Sequence, residues 1–256
     1  MPSGTTDWDA KAYDRLAAPQ EEWARSVLER MDLGGDEIVL DAGCGSGRAT
    51  RLLLDRLPRG KVIGVDGSES MVAEAERALA EYGDRIELIH SDLLELELPE
   101  QVDGVFSNAT FHWIADHDRL FERLRAALKP GGRLTAQCGG EGNVAEWQRA
   151  VEHAAGQPEF ADYFSDWDGP WNFAAPAETE ERLARAGFDG VRCWLEEKLV
   201  EPDDPSDFVS VVGLAAHHER LPAVLRQRFT DAVLGHLERP LVLRYVRLNI
   251  EATAAG

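Results

Sequence analysis

The sequence predicts a doubly wound α/β fold, a mostly parallel sheet with helices on both faces. Two observations carry this. Short apolar runs alternate with helical stretches across residues 37–137, and Gly or Pro marks almost every joint. Right-handed crossovers then fix the winding. The length of 256 residues suits one such domain, alone or with a small lid.

The elements follow in order. Residues 1–20 are polar, with Trp8 and Tyr13 scattered among them. A helix is expected from about Gln20, because Trp23, Val27, Leu28 and Met31 share one helical face, and Gly34-Gly35 stops it. Glu37–Asp41 reads as a buried strand running into glycines, and Thr50–Leu57 as a helix closed by Pro58 and Gly60. Lys61–Asp66 is the second strand and Ser70–Tyr82 the next helix, with Gly83 as its C-cap. Arg85–His90 and Val102–Phe106 are the third and fourth strands. Asp118–Leu128 is helical, Pro130-Gly-Gly ends it, and Arg133–Gln137 is the fifth strand. After residue 140 the rhythm changes. Helices are expected over Val144–Ala155 and Thr179–Ala186, with an aromatic stretch from Phe160 to Phe173 between them. Phe188–Val200 reads as a strand, residues 206–239 as helical, and the alternation after Pro240 as a last strand.

Composition excludes several functions. Apolar residues make up 44%, enough for a packed core and too many for a disordered acidic chain. The net charge of −20 gives no electrostatic reason to bind a nucleic-acid backbone or an anionic membrane, and no Lys/Arg-rich run provides a local exception. Cys44, Cys138 and Cys193 are isolated, with no CxxC and no metal-site spacing, so a reducing compartment and no metal are expected. The first residues lack the apolar core of a signal peptide, and no apolar run has the length of a membrane span. These features predict a cytoplasmic protein.

The chemistry concentrates in Val39-Leu-Asp41-Ala-Gly43-Cys-Gly45-Ser-Gly47, a strand end, a tight glycine turn and a helix start. A dinucleotide fingerprint needs G-x-G-x-x-G; counted from Gly43, its third glycine falls on Arg48. A phosphate-binding GK[ST] is also missing. The pattern is instead D-x-G-x-G-x-G, whose leading carboxylate suits a ligand carrying an ammonium group. Asp66 ends the second strand, where an acid accepts both ribose hydroxyls of a nucleoside, although Gly67-Ser68 there also has the form of a helix cap. Met71 suits either an adenine face or core packing. Asp92, after Ser91 and before Leu93, suits an adenine amino group or a turn. Asn108, followed by Ala109, ends the fourth strand. Polar groups at three strand ends beside a glycine loop lie on one sheet edge, the expected crevice.

Together LDAGCGSG, IGVDGSESM, SDL, SNATFHW and LKPGGRL resemble a class I S-adenosylmethionine-dependent methyltransferase. More weakly, Trp8, Tyr13, Gln20, GPWNF, the turn at Ala186–Phe188 and the final RLNIEA resemble the trans-aconitate methyltransferase-like small-molecule branch. The resemblance implies a Rossmann-like seven-stranded sheet whose last strand is antiparallel. It implies that residues 1–140 hold S-adenosyl-L-methionine, and that 141–256 add the acceptor side: a helical lid over about 141–180 and 206–239, and the last two strands of the same sheet. Cofactor contacts are expected from Tyr13, Gln20, Asp41, Gly43, Cys44, Gly45, Asp66, Gly67, Ser68, Met71, Ser91, Asp92, Leu93, Asn108 and Ala109.

The methyl donor is already activated, so the protein has to place an acceptor in line and exclude water. An ionised carboxylate needs no base; a hydroxyl, amine or carbon is helped by one. His112, beside Asn108, is the candidate base or acceptor ligand. Trp8, Trp113, Trp171 and Phe173 are the other candidate acceptor contacts. Arg244 and Arg247 alternate on the last strand, so at most one faces the site. The segment from Phe208 to His218 lacks the Arg-bearing lid motif expected of trans-aconitate enzymes, which leaves the acceptor open. The expected function is methyl transfer to a small molecule, with carboxylate or hydroxyl oxygen favoured and S-adenosyl-L-homocysteine as product, by a monomer or homodimer. A non-catalytic binding relative and an NAD-type oxidoreductase are the alternatives.

Overall fold

A computed structural model describes residues 18–202, 209 and 213–256, with side chains from Glu22 onward. Trp8, Tyr13, the Gln20 side chain and most of the Phe208–Val212 stretch lie outside the described residues. The first helix, α1 (Ala18–Arg30), buries Trp23, Val27, Leu28 and Met31, the face expected from their spacing. The alternation continues with β1 (Ile38–Ala42), α2 (Arg48–Arg56), β2 (Lys61–Asp66), α3 (Glu69–Leu79), β3 (Ile86–His90), β4 (Val102–Asn108), α4 (His117–Ala127) and β5 (Leu128–Gly139). The remaining elements are α5 (Ala145–Ala155), α6 (Pro176–Arg185), β6 (Phe188–Val200), α7 (Ala215–Arg220), α8 (Ala223–Leu234) and β7 (Leu243–Ala254).

The strands form one sheet in the order β3-β2-β1-β4-β5-β7-β6. β1 to β5 pair in parallel, and β7 inserts antiparallel between β5 and β6. This is the expected seven-stranded arrangement. Winding reverses between β1 and β4, so their carboxyl ends diverge there and leave a crevice. The central strands are buried on both faces. Val39, Val62 and Phe106 pack under α1, α2 and α3. Leu40, Ile63 and Val105 join Leu120, Phe121 and Leu183 in a second core on the other face. A third cluster, around Trp147, Phe160, Phe229 and Val233, builds the helical layer near the start of β7.

Three expectations need correction. The helical run over residues 206–239 is broken: α7 and α8 are separated by Leu221-Pro222, where proline cannot continue the preceding helix. Pro130-Gly-Gly does not precede β5 but lies inside it, where the pairing with β4 slips between Val102 and Gly104. His117, whose place at a helix start reads from the sequence as that of a solvated or capping residue, is buried, and its Nε2 lies 2.9 Å from the Phe111 carbonyl. Asp116 does the capping, accepting from Arg119 N–H. Among the described residues no helix is long and apolar enough to cross a membrane, and no cluster of three potential metal ligands occurs.

Candidate active site

The glycine turn is shaped by its backbone. Gly43 and Cys44 both donate N–H to the Val65 carbonyl, at 2.8 and 3.0 Å, which pulls the chain across the end of β2. Gly43 has φ +87°, and a Cβ there would overlap the Thr110 side chain. Thr110 Oγ1 in turn donates to the Gly43 carbonyl at 3.3 Å, which ties the loop after β4 to the turn. Gly45 has φ +53°, and nothing lies within 4 Å of where its Cβ would be. The turn therefore needs glycine at 43 for fit, and at 45 it opens onto empty space.

Three carboxylates stand around this turn. Asp41 is 1% exposed, and its Oδ2 accepts from Thr50 Oγ1 at 2.7 Å. Its Oδ1 has no hydrogen-bond partner among the described residues. Burial pushes the Asp41 carboxyl up to about 7. Asp66 Oδ2 accepts from Gly45 N–H and its Oδ1 from Ser68 N–H, both at 2.9 Å. Burial raises its pKa while these backbone donors oppose the rise. Asp92 Oδ1 accepts from Leu94 N–H at 2.9 Å and so caps the turn that buries Leu93. Met71 N–H donates to Ser68 Oγ at 3.3 Å, and its side chain is buried on α3. Ser91 N–H donates to the Asp66 carbonyl. Asp41, Gly43, Cys44, Gly45, Asp66, Gly67, Ser68, Met71, Ser91, Asp92, Leu93, Asn108 and Ala109 thus come together around the ends of β1 to β4.

A second chamber adjoins them through Ala109, whose φ is +61°. His112, Trp113, Trp171 and Phe173, the candidate acceptor contacts, all line it. Trp23, Asn143, Trp147, Tyr245 and Arg247 line it as well, and the sequence reading had not placed the first four there. The Trp171–Phe173 segment is held by Asn172, whose N–H donates to the His112 carbonyl and whose Nδ2 donates to the carbonyl of Ala115 at 3.0 Å. Arg244 points outward to Glu197, whereas Arg247 is 2% exposed. Its Nε donates to Gln137 Oε1 at 3.4 Å, and its guanidinium lies 4.6 Å from the Trp23 ring centre.

His112 is 8% exposed, and its Nδ1 accepts from Gly139 N–H at 3.3 Å. The neutral ring therefore carries its proton on Nε2. Burial first, and then the Arg247 charge, hold its pKa well below the usual histidine value. His217 stands behind the chamber wall, among Phe164, Trp167, Trp171 and Phe229. Burial takes it down to about 3. A histidine depressed in the fold stabilises fully above its unfolded pKa near 6.5, and that stability is lost as pH falls toward 3. Chemical denaturation of a His217→Leu variant should therefore show a gain over the parent that grows to about 2 kcal/mol as pH falls from 7 to 5. Parallel pH profiles for the two proteins would exclude this origin.

Residues 39–132 match the family model described as "Methyltransferase domain". The chain is 33% identical to the trans-aconitate 2-methyltransferase of Methylobacterium nodulans, over 91% of this chain and 95% of that one. It is 31% identical to the trans-aconitate 2-methyltransferase of Acidovorax sp. strain JS42, over 88% and 87% of the two chains. This chain is a class I S-adenosylmethionine-dependent methyltransferase. The phosphoethanolamine N-methyltransferase 2 of Haemonchus contortus, solved with phosphomonomethylethanolamine and S-adenosylhomocysteine, shares the fold at a TM-score of 0.62 and 19% identity, covering 96% of this chain and 57% of that one. The cofactor of this methyltransferase is S-adenosylmethionine, and the failed dinucleotide spacing agrees with that.

Proposed function

We propose that this methyltransferase esterifies a carboxylate of a small-molecule acceptor held in the aromatic chamber. The observation that carries the reading is the buried Arg247 guanidinium in the chamber wall. A guanidinium stays charged at any working pH, and its planar fork matches a carboxylate. The protonated Nε2 of His112, in the same wall, provides a neutral donor. Of the two roles considered for His112, acceptor ligand fits this ring and general base does not, because the ring resists protonation.

The residues around the glycine turn fit the cofactor. The Asp41 Oδ1 lacks a described partner and suits an ammonium group such as that of the methionine moiety. Asp66 keeps acceptor capacity beyond its backbone donors, and it suits the ribose hydroxyls. Met71 and Leu93 would flank the adenine, with Ser91 and Asp92 at its polar edge. Gly43, Cys44, Gly45, Gly67, Ser68, Asn108 and Ala109 supply the backbone rim. Tyr13 and Gln20 would close over the cofactor, and Trp8 over the acceptor. When bound, S-adenosylmethionine supplies a methyl group already activated on sulfonium sulfur. Arg247 and His112 orient the carboxylate, and the tryptophan walls exclude water. Transfer of that methyl to an ionised carboxylate oxygen would exchange the carbon–sulfur bond for a carbon–oxygen bond and leave a neutral thioether. The charges cancel and no proton moves, so no base is needed.

The relatives named for trans-aconitate, an acid, agree with an acid acceptor. The net charge of −20 keeps nucleic acid outside this reading, and the protein acts as a monomer or homodimer. Arg247→Gln should lower kcat/KM for the acid by about 100-fold, the scale of a lost buried charge contact, with the dissociation constant for S-adenosylhomocysteine within about twofold. Unchanged kcat/KM would remove the carboxylate reading.

A further inference from the structure

Half of the chamber's described lining residues carry rings, and there is very little charge. We propose that the acceptor is a monocarboxylic acid with a planar apolar body, an aryl-substituted acid, rather than a polycarboxylate. This rests on the carboxylate reading above. Among the described lining residues Arg247 is the one Lys or Arg, and none is Asp or Glu. Residues 203–208 and 210–212, which flank the lining residues Val209 and Gly213 in sequence, contain three Asp and no Lys, Arg or His.

The rings are arranged as a wall. Trp171 and Phe173 stack with centres 5.7 Å apart and planes 12° apart, and Phe173 stacks on His112 at 5.8 Å and 25°. Trp147 lines the chamber from α5 and packs directly on Gly213, where a Cβ would come within 2.6 Å of the indole. A ring-rich lining of this kind accepts another planar apolar body by edge-to-face or offset contact. Apart from Arg247 it offers an anion no charged partner. A tricarboxylate such as trans-aconitate would meet one guanidinium with one carboxylate and bring the other two against tryptophan and phenylalanine. A buried carboxylate with no cation is costly. An aryl monoacid places its one charge on Arg247 and its ring against the wall.

Calorimetric titration of the protein loaded with S-adenosylhomocysteine separates these acceptors. The ligands are trans-cinnamate, the neutral trans-cinnamamide and trans-aconitate, with methyl transfer from S-adenosylmethionine followed in parallel by mass spectrometry. Cinnamate is expected to bind at least about tenfold tighter than either of the others and to give the highest kcat/KM. Trp171→Leu should weaken cinnamate about tenfold and leave trans-aconitate within twofold, which a general loss of folding would not do. Trans-aconitate binding as well as cinnamate, or no binding of cinnamate, overturns the inference. In the first case the carboxylate reading stands. Equal binding of cinnamate and cinnamamide, with no methyl transfer to either acid, overturns both.

Discussion

A Gly43→Ala protein is expected to melt about 10 °C below the parent. Two costs add at this position. A non-glycine residue in the left-handed region costs about 1–2 kcal/mol. A methyl group forced against Thr110 adds overpacking of about 1–3 kcal/mol, because Thr110 is itself tied to the Gly43 carbonyl. At 2–4 °C per kcal/mol for a chain of this size, the sum gives roughly 4–20 °C. A Gly43→Ala/Thr110→Gly double variant removes the overlap and leaves the strained φ, so it should recover about half of the loss. Differential scanning calorimetry measures both. A single variant within 2 °C of the parent would mean that the turn can relax, and that its shape is not fixed by this contact.

Asp66→Ala should raise the dissociation constant for S-adenosylhomocysteine about 100-fold in isothermal titration. The carboxylate that would receive two ribose hydroxyls is lost, and two hydrogen bonds to a charged acceptor amount to about 3 kcal/mol. The variant also frees Gly45 N–H and Ser68 N–H, so the glycine loop loses its clamp to the end of β2. Asp66→Asn separates the two effects. It keeps one acceptor for the loop and loses the charge, so its affinity should fall between those of parent and Ala variant while its melting temperature stays close to the parent's. Affinity within about twofold for both variants would leave Asp66 as a loop clamp and nothing more.

Much of the crevice was legible because it is local. Asp41, Gly43, Gly45 and Asp66 lie at strand ends, and strand ends are where the hydrophobic period breaks into glycine and acid. The parallel pairing of β1 to β5 in a doubly wound sheet followed from alternation and crossover handedness alone. The acceptor chamber was legible only in part, because its parts come from far apart in the chain. Alternation showed that Arg244 and Arg247 face opposite ways but not which one faces inward. That is decided by the pairing of β7 between β5 and β6, which sets Arg247 beside Gly139 and turns Arg244 toward Glu197. Trp23 falls on the apolar face of its helix, and both it and Trp147 are buried. Their edges reach the chamber because α1 and α5 both approach the start of β7, a tertiary fact with no local signal. His117 was misread for the same reason: a histidine at a helix start looks solvated until the preceding turn, Phe111–Trp113, folds its carbonyl onto it.

The fate of a labelled methyl group tests the central claim most directly. The protein is incubated with methyl-labelled S-adenosylmethionine and a panel of small acids, phenols and amines, and the labelled product is then treated with mild alkali. Carboxyl methylation at Arg247 predicts a product that releases the label as methanol, and a rate that collapses in Arg247→Gln. A label that survives alkali, as an ether, a methylamine or a carbon-bound methyl would, contradicts it.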